Sequence, residues 1–321
     1  MTDPQALATA GPVAEASDAL GTVPTSAESR KKDKPRSLAS DAWHDLRRRP
    51  LFLISATLIA VLLVIALFPQ LFTAVDPGRG DLARARQAPS AGAIFGYDAL
   101  GRDVFARAIY GTRVSIVVGL VATIITVVIG GTLGLLSGYY GGRLDAVLSR
   151  FADIFFGLPF VLGAIVILST FRDAVGNSAV GISTIVILTI SMLSWPVSMR
   201  IMRSAAIAAR SQDYVRAARG LGASPLRIIL RHMLPNCAAP VLVYATIALG
   251  AFIGAEATLS FLGIGLRDPV VSWGVMISEA QTYLRVAPWL LLFPGAFLIV
   301  TVLAFVMLGD AVRSAFDPKG R

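Results

Sequence analysis

The chain is too apolar to be a water-soluble domain, because 55% of its 321 residues are hydrophobic and only 15% are charged. Its mean hydropathy of +0.70 predicts an integral membrane protein. The net charge of +9 would suit a nucleic-acid ligand, but basic residues at the inner ends of membrane spans account for it better. We therefore expect membrane lipid, and no nucleic acid, as a partner.

The sequence offers no catalytic constellation. The single cysteine, Cys237, excludes an intrachain disulfide and a cysteine-cluster metal site. The two histidines, His44 and His232, lie far apart in the sequence and predict no metal centre. No stretch has the G-x-x-x-x-G-K-S/T pattern that cradles nucleotide phosphates. We predict no catalytic residues, no metal and no cofactor in this chain.

Six apolar runs are each long enough to cross a hydrocarbon core of about 30 Å. They predict an all-α membrane protein with six transmembrane helices, at residues 51–72, 115–137, 151–170, 180–199, 241–261 and 289–308. A short turn is expected at 138–150 and an outer loop at 267–288. Pro159 lies inside the third predicted helix.

This pattern divides the chain into four regions. Residues 1–50 are predicted to be a disordered basic tail that ends in a short interfacial helix, with Trp43 and Leu46 facing lipid. Residues 51–112 hold the first helix and an outer loop, 113–310 the core with five helices, and 311–321 a second tail. With the amino terminus inside, the inner segments carry 20 basic residues and the outer segments nine. Both termini are therefore predicted to be cytoplasmic.

Residues 95–115, FGYDALGRDVFARAIYGTRVS, are called the motif segment below. We expect this segment to be an amphipathic helix on the outer surface. In such a helix Asp98 would pair with Arg102, and Asp103 with Arg107, because each pair is four residues apart.

Two features inside the predicted spans suggest packing or transport. Gly130, Gly134 and Gly138 fall four apart, which allows close approach of helices, either within this chain or at a subunit interface. Glu256 lies in the fifth predicted span, deep enough for a charge to be costly, although it is near the outer end of that span. It is our one candidate on the substrate path. A proton or cation carrier is possible there, but a structural role is favoured, because no second acid lies at a matching depth.

Residues 211–235, SQDYVRAARGLGASPLRIILRHMLP, are called the basic segment below. The segment is polar, carries four arginines and separates two apolar runs. Ser211 can cap a first helix, Gly222 breaks the pattern, and Ser224 with Pro225 starts a second helix that Pro235 ends. The predicted apolar faces are Tyr214, Ala217, Ala218 and Leu221 in the first helix, and Leu226, Ile229, Leu230 and Met233 in the second.

The basic segment resembles the cytoplasmic coupling loop of ATP-binding-cassette (ABC) importers. The pattern of that loop is Glu-Ala-Ala, three residues, Gly, nine residues, then Ile-x-Leu-Pro. Ala217, Ala218, Gly222, Leu234 and Pro235 match it, whereas Arg216 and His232 depart from it. The resemblance implies a helix–loop–helix that seats in a groove of a partner ATPase. The coupling residues that it implies are Asp213, Tyr214, Arg216, Ala217, Ala218, Gly222, Leu226 and Pro235.

The motif segment resembles the GTDxxGRDxxSRxxYGxRxS signature of C-type subunits of dipeptide and oligopeptide permeases. The matching residues are Gly101, Arg102, Asp103, Arg107, Tyr110, Gly111, Arg113 and Ser115. The stretch EATLSFLGIGLRDPxxSWG, which begins at Glu256, resembles a sequence found in the same subunits. The fold implied is that of a type I ABC importer permease.

This resemblance implies a multi-pass permease of a bacterial plasma (inner) membrane, in an ATP-driven importer of dipeptides or oligopeptides that depends on a binding protein. The implied partners are a sibling permease subunit, two ATPase subunits that bind ATP and Mg, and an extracytoplasmic substrate-binding protein. Nickel chelates and glutathione-like molecules are alternative substrates.

Two other functional classes predict different features. A secondary transporter driven by an ion gradient would show inverted repeats and paired intramembrane acids. A membrane-embedded enzyme would need a catalytic constellation within the spans.

Overall fold

The computed structural model describes residues 46–176 and 178–316, which form one all-helical unit. The predicted amino-terminal tail up to residue 45, including Trp43, and residues 317–321 lie outside the described residues. The helices are α1 (Pro50–Leu67), α2 (Val104–Tyr140), α3 (Gly142–Gly157), α4 (Phe160–Val175), α5 (Ala179–Arg210), α6 (Asp213–Gly220), α7 (Pro225–Arg227), α8 (Leu234–Phe261), α9 (Trp273–Ala280) and α10 (Trp289–Phe316). A π-helical stretch, Ile228–Met233, joins α7 to α8.

Five of the described helical units are long and apolar enough to cross a membrane, namely α1, α2, α5, the unit from α7 to α8, and α10. A sixth crossing requires α3 and α4 together, and these two are bent by 90°. The predicted third helix is therefore broken. Leu158 and Pro159 are extended, and proline supplies no N–H to continue the helical ladder.

Several predicted connections prove shorter or more ordered than the sequence indicated. The turn expected at 138–150 is reduced to Gly141, whose φ of 66° reverses the chain between α2 and α3. The loop expected at 267–288 contains α9, capped by Ser272. Pro235 does not end a helix, because it lies in the first turn of α8, where its missing N–H costs little.

Among the described helices, α2 and α5 share the most extensive contact. The stripe formed by Gly130, Gly134 and Gly138 lies inside this contact. A Cβ atom on Gly130 would collide with the Trp195 carbonyl oxygen, and one on Gly134 with the Met199 carbonyl oxygen. At Gly138 the obstacle is the Cβ atom of Ala206, 2.5 Å away. The stripe therefore serves packing within this chain, and the two backbones run almost in contact.

The first span is attached to the core at both of its ends. Arg113 donates hydrogen bonds to the carbonyl oxygens of Ala66 (2.7 Å) and Leu67 (3.0 Å), which are free at the carboxyl end of α1. Before α1, Leu46 is buried against Ala311 and Ala315 of α10. Leu46 was predicted to face lipid; that prediction is wrong, because α10 continues to Phe316 and covers it.

We expect Gly134→Ala to destabilise the bundle. The added methyl group meets backbone atoms of α5 that cannot rotate away, so the helices must separate, at a cost of about 1–3 kcal/mol. The control is Gly131→Ala in the same helix, whose methyl group would meet only Met202 Cε at 3.6 Å. Thermal unfolding of the two variants in detergent measures the difference. Equal melting temperatures would show that α2 and α5 accommodate the added methyl group without loss of stability.

Candidate functional site

The basic segment is a helical hairpin with one face packed on the bundle. Val215 and Ala218 of α6, and Ile228, Ile229 and Met233 of the π-helical stretch, are buried. They join one cluster with residues from α2, α5 and α8, which are Leu135, Tyr139, Met202, Ala206, Ala209, Cys237 and Val241. The hairpin is thus fixed to the helices that cross the membrane.

The predicted apolar faces of this hairpin need correction. In α6 the buried positions are Val215 and Ala218. Tyr214 and Ala217 are exposed, as is Leu221, which follows the helix. Leu221 has 88% of its surface accessible and Leu226 has 65%, although both are large and apolar. Two large leucines on a surface already supported from behind are typical of a contact surface for another protein.

The predicted coupling residues lie together on this hairpin, on both of its faces. Asp213, Arg216, Ala217, Gly222 and Leu226 are exposed, as are Tyr214 and Pro235, while Ala218 points to the core. Gly222 adopts a φ of +78°, with nothing within 4 Å of the position of a Cβ atom. Glycine is therefore favoured at position 222 by the backbone conformation and not by lack of space for a side chain.

Two ion pairs fasten α3 to α5 near the same end of the bundle. Asp145 accepts two hydrogen bonds from the Arg203 guanidinium (2.5 and 2.7 Å) and further ones from Ser137 and Ser149. Asp153 pairs with Arg200 at 2.7 Å. Because α5 continues into the basic segment, a movement of this hairpin would also act on the broken span.

The motif segment forms a buried charge cluster and not the amphipathic surface helix that was predicted. Asp98 and Arg102 do pair, at 2.6 Å, but in a turn before α2. Asp103 does not pair with Arg107; its carboxylate caps α2 by accepting the Ala106 N–H at 2.8 Å. Arg102 and Arg107 instead share Glu279 of α9, at 2.8 and 3.0 Å. The reason is burial: Arg107 is only 2% exposed and needs carboxylates close to it.

The other matched residues of the motif segment also hold the chain together. Gly101 has a φ of +71° and lies against the Asp81 backbone, and Gly111 faces Ser272, which caps α9, and Trp273, its first residue. Arg113 holds α1, and Tyr110 is half-buried in α2. Beside Arg102 and Arg107 lies a cavity of about 340 Å³, which α9 also lines with Met276 and Ala280.

Glu256 is fully buried and its carboxyl group contacts three serines, which are Ser115, Ser260 and Ser272. Asp153, the other acid considered for a relay, pairs with Arg200 elsewhere. The two acids therefore do not form the intramembrane pair that an ion-driven transporter would use.

Sequence reasoning missed Glu279, Ser272 and the pair Asp145–Arg203. Glu279 and Ser272 were assigned to a loop. The signal that could have found them is a serine before the apolar run WGVMI, which is a helix-start pattern. The partners of Asp145 and Glu279 are far away in the chain, so no local pattern could have named them.

Comparison with known families and proteins gives the following matches. Residues 130–321 match the family described as binding-protein-dependent transport system inner membrane component. Residues 37–89 match the N-terminal TM domain of oligopeptide transport permease C.

Several characterised proteins are similar over most of their length. The dipeptide transport system permease protein of Alkalihalophilus pseudofirmus is 36% identical over 279 residues, covering 87% of this chain and 89% of the relative. The oligopeptide transport system permease protein of Bacillus subtilis is 35% identical over 288 residues, covering 90% and 92%. A glutathione transport system permease protein of Escherichia coli is 34% identical over 290 residues, covering 90% and 93%.

A solved structure has a similar fold. An inward-facing conformation of the MetNI methionine ABC transporter aligns with a TM-score of 0.53 and 21% identity, covering 65% of this chain and 96% of the matched chain.

We expect Glu279→Gln to destabilise the protein by about 1.5–3 kcal/mol, because two nearly buried guanidinium groups lose their shared carboxylate. The matched control is Asp310→Asn, at an exposed acid of α10. Thermal unfolding in detergent is the measurement. If both variants melt alike, the charge cluster contributes nothing measurable.

Gly222→Val should disturb the hairpin more than Gly222→Asn, since asparagine tolerates positive φ and a β-branched residue does not. The penalty expected for valine is about 1–2 kcal/mol. Protease sensitivity of the basic segment in the folded protein would report it. Identical digestion rates of the two variants would contradict a conformational role for Gly222.

Proposed function

Because the chain belongs to the family of binding-protein-dependent transport system inner membrane components, we propose that it is the permease subunit of an ATP-driven importer of dipeptides and oligopeptides. The permease role is that of the family. The peptide substrate is our inference from the two relatives named for dipeptide and oligopeptide transport. The permease chain itself performs no catalytic step in transport.

The observation that carries the proposed mechanism is the exposed apolar surface of the basic segment. Leu221 and Leu226 are exposed on a hairpin whose buried residues pack on α2, α5 and α8. An ATPase subunit that receives these leucines would move the hairpin when it closes on ATP. The hairpin would then pull α5 and α8 as a rigid unit and switch access to the path.

The partners proposed are those that such a mechanism requires. Two ATPase subunits bind ATP and Mg and supply the energy, a sibling permease completes the path, and an extracytoplasmic binding protein delivers the substrate. The predicted inner segments, which include the basic segment, carry more basic residues than the predicted outer segments. This excess supports cytoplasmic termini in a bacterial plasma membrane.

A glutathione-like substrate is a second candidate, favoured by the relative in Escherichia coli. The two candidates separate in one assay. The assembled importer, in proteoliposomes, is given its binding protein loaded with a dipeptide, an oligopeptide or glutathione, and the increase in ATP hydrolysis is compared. The substrate class is the one that raises hydrolysis.

We predict that Leu221→Asp uncouples the importer. A charge in the centre of an apolar contact should lower uptake about tenfold or more, because it must be desolvated when the ATPase seats on it. Leu221 makes little contact within the chain, so insertion and melting temperature should not change.

The control is Gln212→Asp, which adds the same charge at the exposed residue before α6. Uptake and substrate-stimulated ATP hydrolysis are measured side by side in proteoliposomes. Wild-type coupling in Leu221→Asp would refute the hairpin as the contact with the ATPase, whatever the substrate is.

A further inference from the structure

The carboxyl group of Glu256 contacts three hydroxyl groups from three different elements. Ser260, one turn later in α8, lies 2.8 Å from Oε1, and Ser272, which caps α9, lies 3.0 Å from the same oxygen. Ser115 of α2 lies 3.5 Å from Oε2. Glu256 thus ties α2, α8 and the start of α9 together at one point.

Each of these serines also accepts a backbone N–H from the segment that connects α8 to α9 or from α9 itself. The donors are Leu266 to Ser260 (3.0 Å), Trp273 to Ser115 (3.3 Å) and Val275 to Ser272 (3.2 Å). A hydroxyl has one proton, and where its oxygen accepts a backbone N–H that proton is free for the carboxyl group. The position of α9 therefore depends on Glu256 through these hydroxyls.

The amino end of α9 packs closely against α8 around Glu256. A Cβ atom on Gly274 would lie 2.7 Å from Ala257 Cα and 3.0 Å from Glu256 Oε1. Trp273 is completely buried and donates its indole N–H to the Ala108 carbonyl oxygen at 3.0 Å. The amino end of α9 is consequently held in a single position.

No salt bridge to Glu256 is found among the described residues, and its surface is fully buried. An ionised carboxylate without a cation is costly at this depth of a span. A neutral acid satisfies the same geometry, since Oε1 accepts from Ser260 and Ser272 while the proton on Oε2 faces Ser115. Glutamine offers the same arrangement of one acceptor and one donor.

The carboxyl end of α9 lines the cavity of about 340 Å³ beside Arg102 and Arg107. Met276, Glu279 and Ala280 form that wall. An eight-residue helix with one end fixed at Glu256 and the other at the arginines has little freedom to move.

We propose that Glu256 is a positioning residue that acts as an uncharged hub, and that it fixes α9 as one wall of the mouth of the substrate path. The assignment of the cavity to the path rests on the proposed function; the fastening of α9 does not. The hub contains no transported proton, so glutamine can replace the acid.

The fastening is tested by cysteine labelling of the full-length chain in detergent, which requires no transport. Ala280→Cys is the reporter on α9, and Ala206→Cys, in the contact between α2 and α5, is the reference; both alanines are at most 2% exposed. The native Cys237 is 1% exposed and gives a slow background. Each reporter is combined with Glu256→Gln and Glu256→Ala, and Thr258→Ala, at an exposed threonine of α8, serves as a matched control.

We expect Glu256→Ala to raise the labelling rate of Ala280→Cys about tenfold, because three buried hydroxyls lose their shared hydrogen-bond partner. Glu256→Gln and Thr258→Ala should leave that rate close to the parent value, and Ala206→Cys should not respond. An unchanged rate in Glu256→Ala would overturn the proposal. So would a rise in Glu256→Gln as large as that in Glu256→Ala, or an equal rise at both reporters.

The role at the path is tested in the assembled importer with the same variants. Uptake should fall in Glu256→Ala and be retained in Glu256→Gln. Loss of uptake in Glu256→Gln, with normal labelling, would favour a proton carrier and overturn the uncharged hub. Normal uptake in Glu256→Ala, with raised labelling, would mean that Glu256 fastens α9 in the native protein but that α9 does not line the substrate path.

Discussion

The contact between α2 and α5 is the constraint on which the rest of the structure depends. Within a membrane, apolar side chains gain little by leaving lipid, so helices are held by close van der Waals contact and by internal hydrogen bonds. Gly130, Gly134 and Gly138 bring the two backbones together over the half of α2 nearest the basic segment. α2 begins in the motif segment, and α5 leads directly into the hairpin. This rigid pair therefore connects the two ends of the bundle.

Polar groups inside the bundle are placed where helix ends need partners. Arg113 serves the free carbonyls of α1, Asp103 caps α2, and Ser272 caps α9 while it also contacts Glu256. Because no water is available in a bilayer core, each such group must find its partner within the protein. The two stretches that resemble peptide permeases thus contain several residues that fasten helix ends to the bundle.

The hairpin combines this rigidity with an exposed surface. Its buried face joins α2, α5 and α8, while Leu221 and Leu226 remain uncovered by the described part of the chain. The ion pairs of Asp145 and Asp153 extend the same rigid unit to the bent crossing made by α3 and α4. A force applied at the hairpin would be distributed over four crossings, which suits a permease that is driven by a separate subunit.

The sequence by itself determined the membrane class, the approximate place of each crossing and the position of the hairpin, because long apolar runs and the glycine and proline breaks between them are local signals. The bend at Leu158 and Pro159 and the helix within the loop before Trp289 also have local signals, which are a proline and a serine cap. Tertiary structure alone decided the side of α6 that is buried. It also decided that Asp103 caps a helix and that Arg107 meets Glu279, 172 residues away. A charge or a hydroxyl has no preferred partner in the sequence; burial removes water, and only the packed bundle determines which group replaces it.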